Sequence, residues 1–333
     1  MKNVVDVSGW YSYLSVFIKE IQTNPYLQLE DFLKYTNEAV YCLPYQQIKP
    51  LLDFKINHKP GFLLLKGFEQ DPHLIPTYEA SEEIIAKKKT FYSEFWLALV
   101  AKILGEPIGY AQERNGEVFQ NVRPRQGQET KIASDSSGVV LDLHVENGYH
   151  PIRPDYLLLY GLRQDRHQKG HTLAIEIEEI LPLLSPEEIA ILSSKQFRTS
   201  VDWNFGNLDA ERGTGPEVAI LFGDPKNPMI FYDDEYVIGT TVESQAALEK
   251  LRVLLHQKMQ GILLKPGEML VFDNYKCLHG RTSFQAHYDG NDRWLQRLLV
   301  IRDLSLNQKL LRNSGRILDW CYKAGEYYGN VVY

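Results

Sequence analysis

From Ile108 onward the apolar residues of this 333-residue chain recur at every second position, whereas before residue 105 they recur at every third or fourth. A period of two belongs to strands and one near 3.6 to helices, so a helical region must be followed by a sheet. In 8–21, Trp10, Tyr11, Leu14, Phe17, Ile18 and Ile21 fall at helical spacing ahead of Asn24-Pro25, and 29–42 repeats the pattern up to Leu43-Pro44. A third helix is expected over 89–104, stopped by Gly105 and Pro107, with Phe91, Phe95 and Trp96 in the core. Between these helices 61–65 reads as a short apolar strand.

Beyond Ile108, Asn115-Gly116 lies between two strand-like pieces, 110–112 and 117–120, and favours a hairpin. The stretch 155–160, bounded by Pro154 and Gly161, is apolar almost throughout, as in a strand covered on both faces. Further strands are expected at 172–177, 218–222, 229–232, 261–264 and 269–272. Ser185 and Pro186 supply an N-cap and a first helical residue, and 242–259 is an amphipathic helix. The polar segment 123–138 reads as a lid, the usual use of a long irregular stretch inside a domain. With no repeat and no linker, the expectation is one domain over 1–333, of α+β class with a mainly β core and helices outside.

Composition removes several classes of function. A net charge of -7, from 36 basic and 43 acidic residues without a basic run, argues against nucleic acid or an anionic membrane as partner. No apolar run reaches the 18 or so residues of a membrane helix, and residues 1–6 lack the pattern of a signal peptide, so a cytoplasmic protein is expected. Cys42, Cys277 and Cys321 are odd in number and dispersed, which suits ordinary buried or half-buried thiols in a reducing compartment.

The chemistry gathers around Leu141-Asp142-Leu143-His144-Val145-Glu146. If this is a strand, Leu141, Leu143 and Val145 share one face and Asp142, His144 and Glu146 the other. An imidazole and a carboxylate so placed can converge on one cation and leave its far side free, the beginning of a 2-His-1-carboxylate facial triad. Far along the chain, Asp273-Asn274 leads to His279-Gly280-Arg281, after a turn at Gly267 and a strand. Arg293 and Arg297 follow on one further strand.

In combination, His144-x-Glu146, Thr172, Asp273-Asn274, His279-Gly280-Arg281 and Arg293 with Arg297 make the chain resemble the iron(II)/2-oxoglutarate-dependent oxygenases of the clavaminate synthase-like group. That group includes hydroxylases of free arginine, asparagine and lysine. The resemblance covers about residues 105 to 305 and implies a double-stranded β-helix, the jelly roll of cupin-like folds. Around it would lie a helical part, 1–104, the lid 123–138 and a C-terminal extension, 306–333. Carried over residue by residue, His144, Glu146 and His279 would bind Fe(II), leaving positions for 2-oxoglutarate and O2. Arg293, whose planar guanidinium can give two parallel bonds, and Thr172 would hold the distal carboxylate of 2-oxoglutarate. Arg297 would receive the carboxylate of the amino acid, with Ser134 and Gln120 near its backbone. Asp142 and Arg281 read either as supports of this set or as surface charges.

Relatives that hydroxylate arginine carry acids in the stretch matching Asp233, Asp234 and Glu235. Three carboxylates there imply a cationic side chain, L-lysine first and L-arginine second, hydroxylated at C3 or C4 with succinate and CO2 as coproducts. Desaturation, another amino acid such as asparagine, and a carrier-tethered or peptide substrate are the alternatives within the family. A non-catalytic metal- or sugar-binding jelly roll would keep the histidines but leave Arg293 and Thr172 unexplained. The expected partner is thus a small molecule, without nucleic acid or membrane, and a homo-oligomer stays open.

Overall fold

The computed structural model describes residues 3–77, 81–206 and 211–323. Its larger sheet runs in the order Val4–Asp6, Phe62–Lys66, Glu268–Asp273, Tyr156–Arg163, Trp294–Ile301, Glu106–Tyr110, Ile317–Leu318, with Gln120–Val122 paired to Trp294–Ile301. A four-stranded sheet is ordered Gln260–Ile262, Thr172–Glu176, Cys277–Arg281, Leu141–His144.

Residue parity tells how the layers stack. On Trp294–Ile301, Trp294, Leu298 and Val300 join a core built with the N-terminal helices, whereas Leu295, Leu299 and Ile301 join a core shared with the smaller sheet. Tyr156–Arg163 divides in the same way, with Tyr156, Leu158, Tyr160 and Leu162 toward the helices and Leu157 and Leu159 inward. Both faces of the large sheet are therefore covered, which explains why these strands read as unbroken apolar runs. In the smaller sheet Leu143, Leu173, Ile175 and Leu278 face outward to helix Val242–Lys258, and Ala174 and Cys277 face inward. The order of layers is helices, large sheet, small sheet, helices. Each large side chain buried this way contributes on the order of 1.5 to 3 kcal/mol.

The expected helices appear as Trp10–Lys19, Leu29–Val40, Tyr92–Leu104 and Val242–Lys258, and Phe91, Phe95 and Trp96 are buried. Ser185 caps Pro186–Leu192 through a reciprocal capping box with Glu188. Helix Tyr45–Asn57 was not anticipated: Pro44, read as a stop, is instead its N-cap, and the helix tolerates Pro50 inside it. The strand expected over 218–222 is divided into Glu217–Val218 and Leu221–Phe222.

The hairpin at Asn115-Gly116 does not form. Glu106–Tyr110 and Gln120–Val122 lie end to end along one edge of Trp294–Ile301, with Leu299 opposite Ile108 and Arg297 opposite Gln120. Asn115 and Gly116, both at positive φ, form part of a single 3-10 turn between them. A long central strand offers each piece more pairing than they could offer one another. Segment 123–138 has neither helix nor strand, yet Arg281 donates to the carbonyls of Ser134, Ser136 and Val139 and fastens it to the small sheet. Cys277 is buried, but Cys42 and Cys321 are exposed, contrary to the expectation for both. Of the C-terminal stretch 306–333, residues 324–333 lie outside the described residues, and no described helix is long and apolar enough to cross a membrane.

Candidate metal centre and its two flanks

Strands Leu141–His144 and Cys277–Arg281 are antiparallel neighbours with His144 directly opposite His279. Leu143 and Leu278 point outward, so both imidazoles point inward, their ring centroids 4.3 Å apart. The pairing then slips, Arg281 facing Leu141 rather than the residue parity would give. Gly280 allows the slip, because a Cβ there would stand 2.6 Å from the Leu141 carbonyl oxygen. The slip also overturns the expected alternation. Leu141 lines the cavity in front of the histidines, and the Asp142 carboxylate is acted on by Asp234, His256 and Arg252 on the outer side ahead of His144. Asp142 serves His144 through its backbone, since His144 Nδ1 lies 2.7 Å from the Asp142 carbonyl oxygen. A carbonyl can only accept, so the ring proton sits on Nδ1 and Nε2 is free to bind a metal.

Glu146 reaches the same point without being on the strand. The strand ends at His144, and Glu146 opens the turn that follows. One ligand atom from each of His144, Glu146 and His279 fits within a span of 4.8 Å. His279 is 5% exposed, its Nδ1 has no hydrogen-bond partner among the described residues, and the other ring nitrogen is 3.6 Å from a Glu146 oxygen. A buried imidazole whose Nε2 has nothing closer than a carboxylate at 3.6 Å is open to a metal on that side. Burial, then the neighbouring His144, pushes His279 down to about 4, which keeps it neutral and ready to ligate. Burial works to protonate Glu146, but the Arg297 guanidinium together with His279 and His144 outweighs it and holds the carboxyl well below its ordinary range. The donor set therefore fits a divalent ion of the Fe(II) kind, with a face left for other ligands.

Arg293 and Thr172 lie on one flank, their side chains 3.4 Å apart, both lining the cavity. Arg293 is 5% exposed and has no carboxylate partner among the described residues. Burial and the nearby Arg281 push it down to about 9. Arg281 is no surface charge: it is buried and lines the same cavity.

On the other flank Arg297 gives Nη1 to Glu146 at 2.9 Å, Nε to Gln120 at 2.7 Å, and Nη2 to Glu113. Burial alone would lower Arg297, yet Glu113 and Glu146 raise it instead. Gln120 thus orients Arg297 and is not among the cavity-lining residues, whereas Ser134 is, its hydroxyl accepting from Arg114 at 3.0 Å. Glu113 was not singled out in the sequence. Only its pairing across the sheet with a residue 184 positions away marks it.

The three acids at 233–235 do not act together. Segment 232–234 runs beside the His144 strand as an added partner, with Val145 N–H donating to Tyr232 and Asp234 N–H to Leu143. Asp234 turns outward and is bonded to Tyr232 at 2.6 Å, Arg252 at 2.5 Å and His256 at 2.6 Å, so it does not face the cavity. Asp233 pairs across from His144 and, with Glu235, is half-buried. Both are raised by burial first. Asp202, another half-buried acid raised by burial, senses Glu146. Tyr236, pushed up to about 12 by burial first, is raised further by Glu235, Asp233 and Asp202.

A family model described as taurine catabolism dioxygenase TauD, TfdA family matches residues 54–299. Clavaminate synthase 2 of Streptomyces clavuligerus is 30% identical over 302 residues, 90% of this chain and 92% of the relative. The L-lysine 3-hydroxylase of Catenulispora acidiphila is 30% identical over 86% of this chain and 80% of its own. Among solved structures, an asparagine oxygenase in complex with Fe(II), 2S,3S-3-hydroxyasparagine and succinate superposes with a TM-score of 0.83. It is 27% identical and covers 96% of this chain and 99% of its own.

Proposed function

The chain belongs to the TauD/TfdA dioxygenase family and is an oxygenase of the kind that uses Fe(II), 2-oxoglutarate and O2; from that premise we propose that it hydroxylates a free basic L-amino acid, L-lysine first and L-arginine second, at C3 or C4. The observation that carries the choice is that Asp202, Asp233 and Glu235 are half-buried carboxylates that all act on Tyr236. Among the described residues Arg212 acts on Glu235 and His144 on Asp233, and none of the three carboxylates makes an ion pair. Half-buried carboxylates left without a cation favour an ammonium or guanidinium and disfavour a neutral side chain of similar size.

We assign His144, Glu146 and His279 to the metal, and Arg293 with Thr172 to the distal carboxylate of 2-oxoglutarate. Arg297 and Ser134 take the amino acid's carboxylate, with Gln120 holding Arg297. Glu113 stands beside Arg297, where the zwitterion's ammonium would come to lie. The two facing sheets are, on this reading, the two halves of a jelly roll whose open end is the site. When bound, the iron supplies activation of O2, with 2-oxoglutarate leaving as succinate and CO2 and one oxygen atom entering the C–H bond. The chain's own part is placement: one flank for the cosubstrate, the other for the amino acid, and the segment 123–138 as the cover that keeps water out.

The test is succinate release and product mass over a panel of free amino acids with Fe(II), 2-oxoglutarate and air. Lysine or arginine should lead the panel by at least tenfold. Asparagine, glutamine or leucine turning over as fast would return the three acids to a solvated turn.

A further inference from the structure

Glu146 raises a question of support. His144 and His279 are each held by strand pairing, but Glu146 lies past the strand end, next to Asn147 at a φ of 45°. Left to a free turn, its carboxylate would sample many positions, and a metal ligand that must be ordered on binding binds weakly. The backbone of Glu146 is nevertheless bonded on both sides by one side chain. Asn274 Oδ1 accepts from Glu146 N–H at 2.8 Å, and Asn274 Nδ2 donates to the Glu146 carbonyl at 2.9 Å and to the Pro154 carbonyl at 2.9 Å.

A carboxamide used this way stands in for the peptide group of a missing strand, extending the pairing two residues beyond its end. Asn274 is itself fixed: it is 1% exposed, its N–H donates to Asp155 at 2.9 Å, and its carbonyl accepts from the buried Arg153. It also sits in the tight turn 273–276, closed by Lys276 N–H to Asp273 at 3.0 Å, which feeds directly into the His279 strand.

We propose that Asn274 is the positioning residue of the metal centre, holding Glu146 at a fixed place relative to His279 so that the third ligand is set before the metal arrives. The inference rests on the assignment of His144, Glu146 and His279 to the metal. Only Asn, among residues of this size, offers an acceptor and a two-hydrogen donor on one planar group. Asn274→Asp keeps shape and acceptor but sets an oxygen against two carbonyls.

The test is titration of the apoprotein with Co(II), an oxygen-inert probe for the site, followed by its visible absorption. Asn274→Asp should weaken Co(II) binding by about 10- to 100-fold, in the range seen for supports of metal ligands. In a Glu146→Ala background, where only two histidines remain, Asn274→Asp should cost nothing further, because the two residues act as a unit. A merely structural role would instead weaken binding equally in both backgrounds and would overturn the proposal. Should Asn274→Asp not fold, Asn274→Ser in the same two titrations decides by the same criterion. No Co(II) binding by the unmodified protein would overturn the metal assignment itself, whereas binding indifferent to Asn274 would overturn only its positioning role.

Discussion

Arg293 and Arg297 are the same residue type, four positions apart and both nearly inaccessible, the first just ahead of strand Trp294–Ile301 and not on it as expected, the second within it, yet their surroundings are opposite. Arg297 is enclosed by Glu113, Glu146 and Gln120, which hold its charge in place. Arg293 has a hydroxyl at 3.4 Å, the Phe284 ring at 5.7 Å, a second guanidinium nearby, and Asp165 acting on it without forming an ion pair among the described residues. Taking an unpaired cation out of water costs several kcal/mol, so the Arg293 flank stores a demand for an anion that the protein does not meet. The Arg297 flank makes no such demand and must exchange partners when a carboxylate arrives. A dicarboxylate cosubstrate suits the first flank and a zwitterion, able to meet both Arg297 and its acids, suits the second.

The largest effect is expected midway between the flanks. His279→Ala should abolish Fe(II) binding and succinate formation with the fold retained, and full activity in that variant would leave the two arginines with no centre to flank. Next, Arg293→Leu should raise the KM for 2-oxoglutarate by about 100-fold or more, the loss expected when a buried charge pair is broken, and change the amino acid KM little. Arg297→Leu should do the reverse, and equal effects on both substrates would erase the distinction between the flanks.

A sharper comparison needs no substrate at all. In the apoprotein Arg297→Leu should destabilise by about 3 to 5 kcal/mol in a denaturant titration, because Glu113 and Glu146 lose their cation. Arg293→Leu should be neutral or stabilising by about 1 to 4 kcal/mol, since it removes an unpaired charge. Same-sign changes would contradict the electrostatic difference. The smallest effect is in pH dependence. Arg293 has a folded value of about 9 against an ordinary 12.5, so above pH 9 the unfolded chain holds more protons and stability should rise with pH. Arg293→Leu should flatten that rise between pH 9 and 10.5 in the same titration, and an unchanged slope would show that another group causes it.

Much of the site was legible because its chemistry is carried by residue types that have few other reasons to be buried. His144, Glu146, His279, Arg293 and Thr172 all come together. Asp234 was misplaced because adjacent residues of an extended segment face opposite ways, and nothing local tells which of Asp233 and Asp234 meets helix Val242–Lys258. Glu113 and Asp202 carry no signal of their own, and Asn274, legible as part of Asp273-Asn274, gave no hint of what it holds. Each matters through a partner distant in the chain. The failed hairpin has the same origin, since Asn115-Gly116 is a genuine turn signal outbid by the pairing offered by Trp294–Ile301.

By itself the sequence determined most of the helices and central strands, that the central strands are covered on both faces, and which side chains line the cavity around the histidines. These follow from hydrophobic period and residue type, both local properties. The tertiary structure alone decided that Glu146 works from a turn, that Arg297 is paired while Arg293 is not, and that an asparagine replaces the missing strand beside Glu146. Those outcomes depend on register, on a one-residue slip at Gly280 and on charges brought together from opposite parts of the chain, none of which leaves a periodic trace.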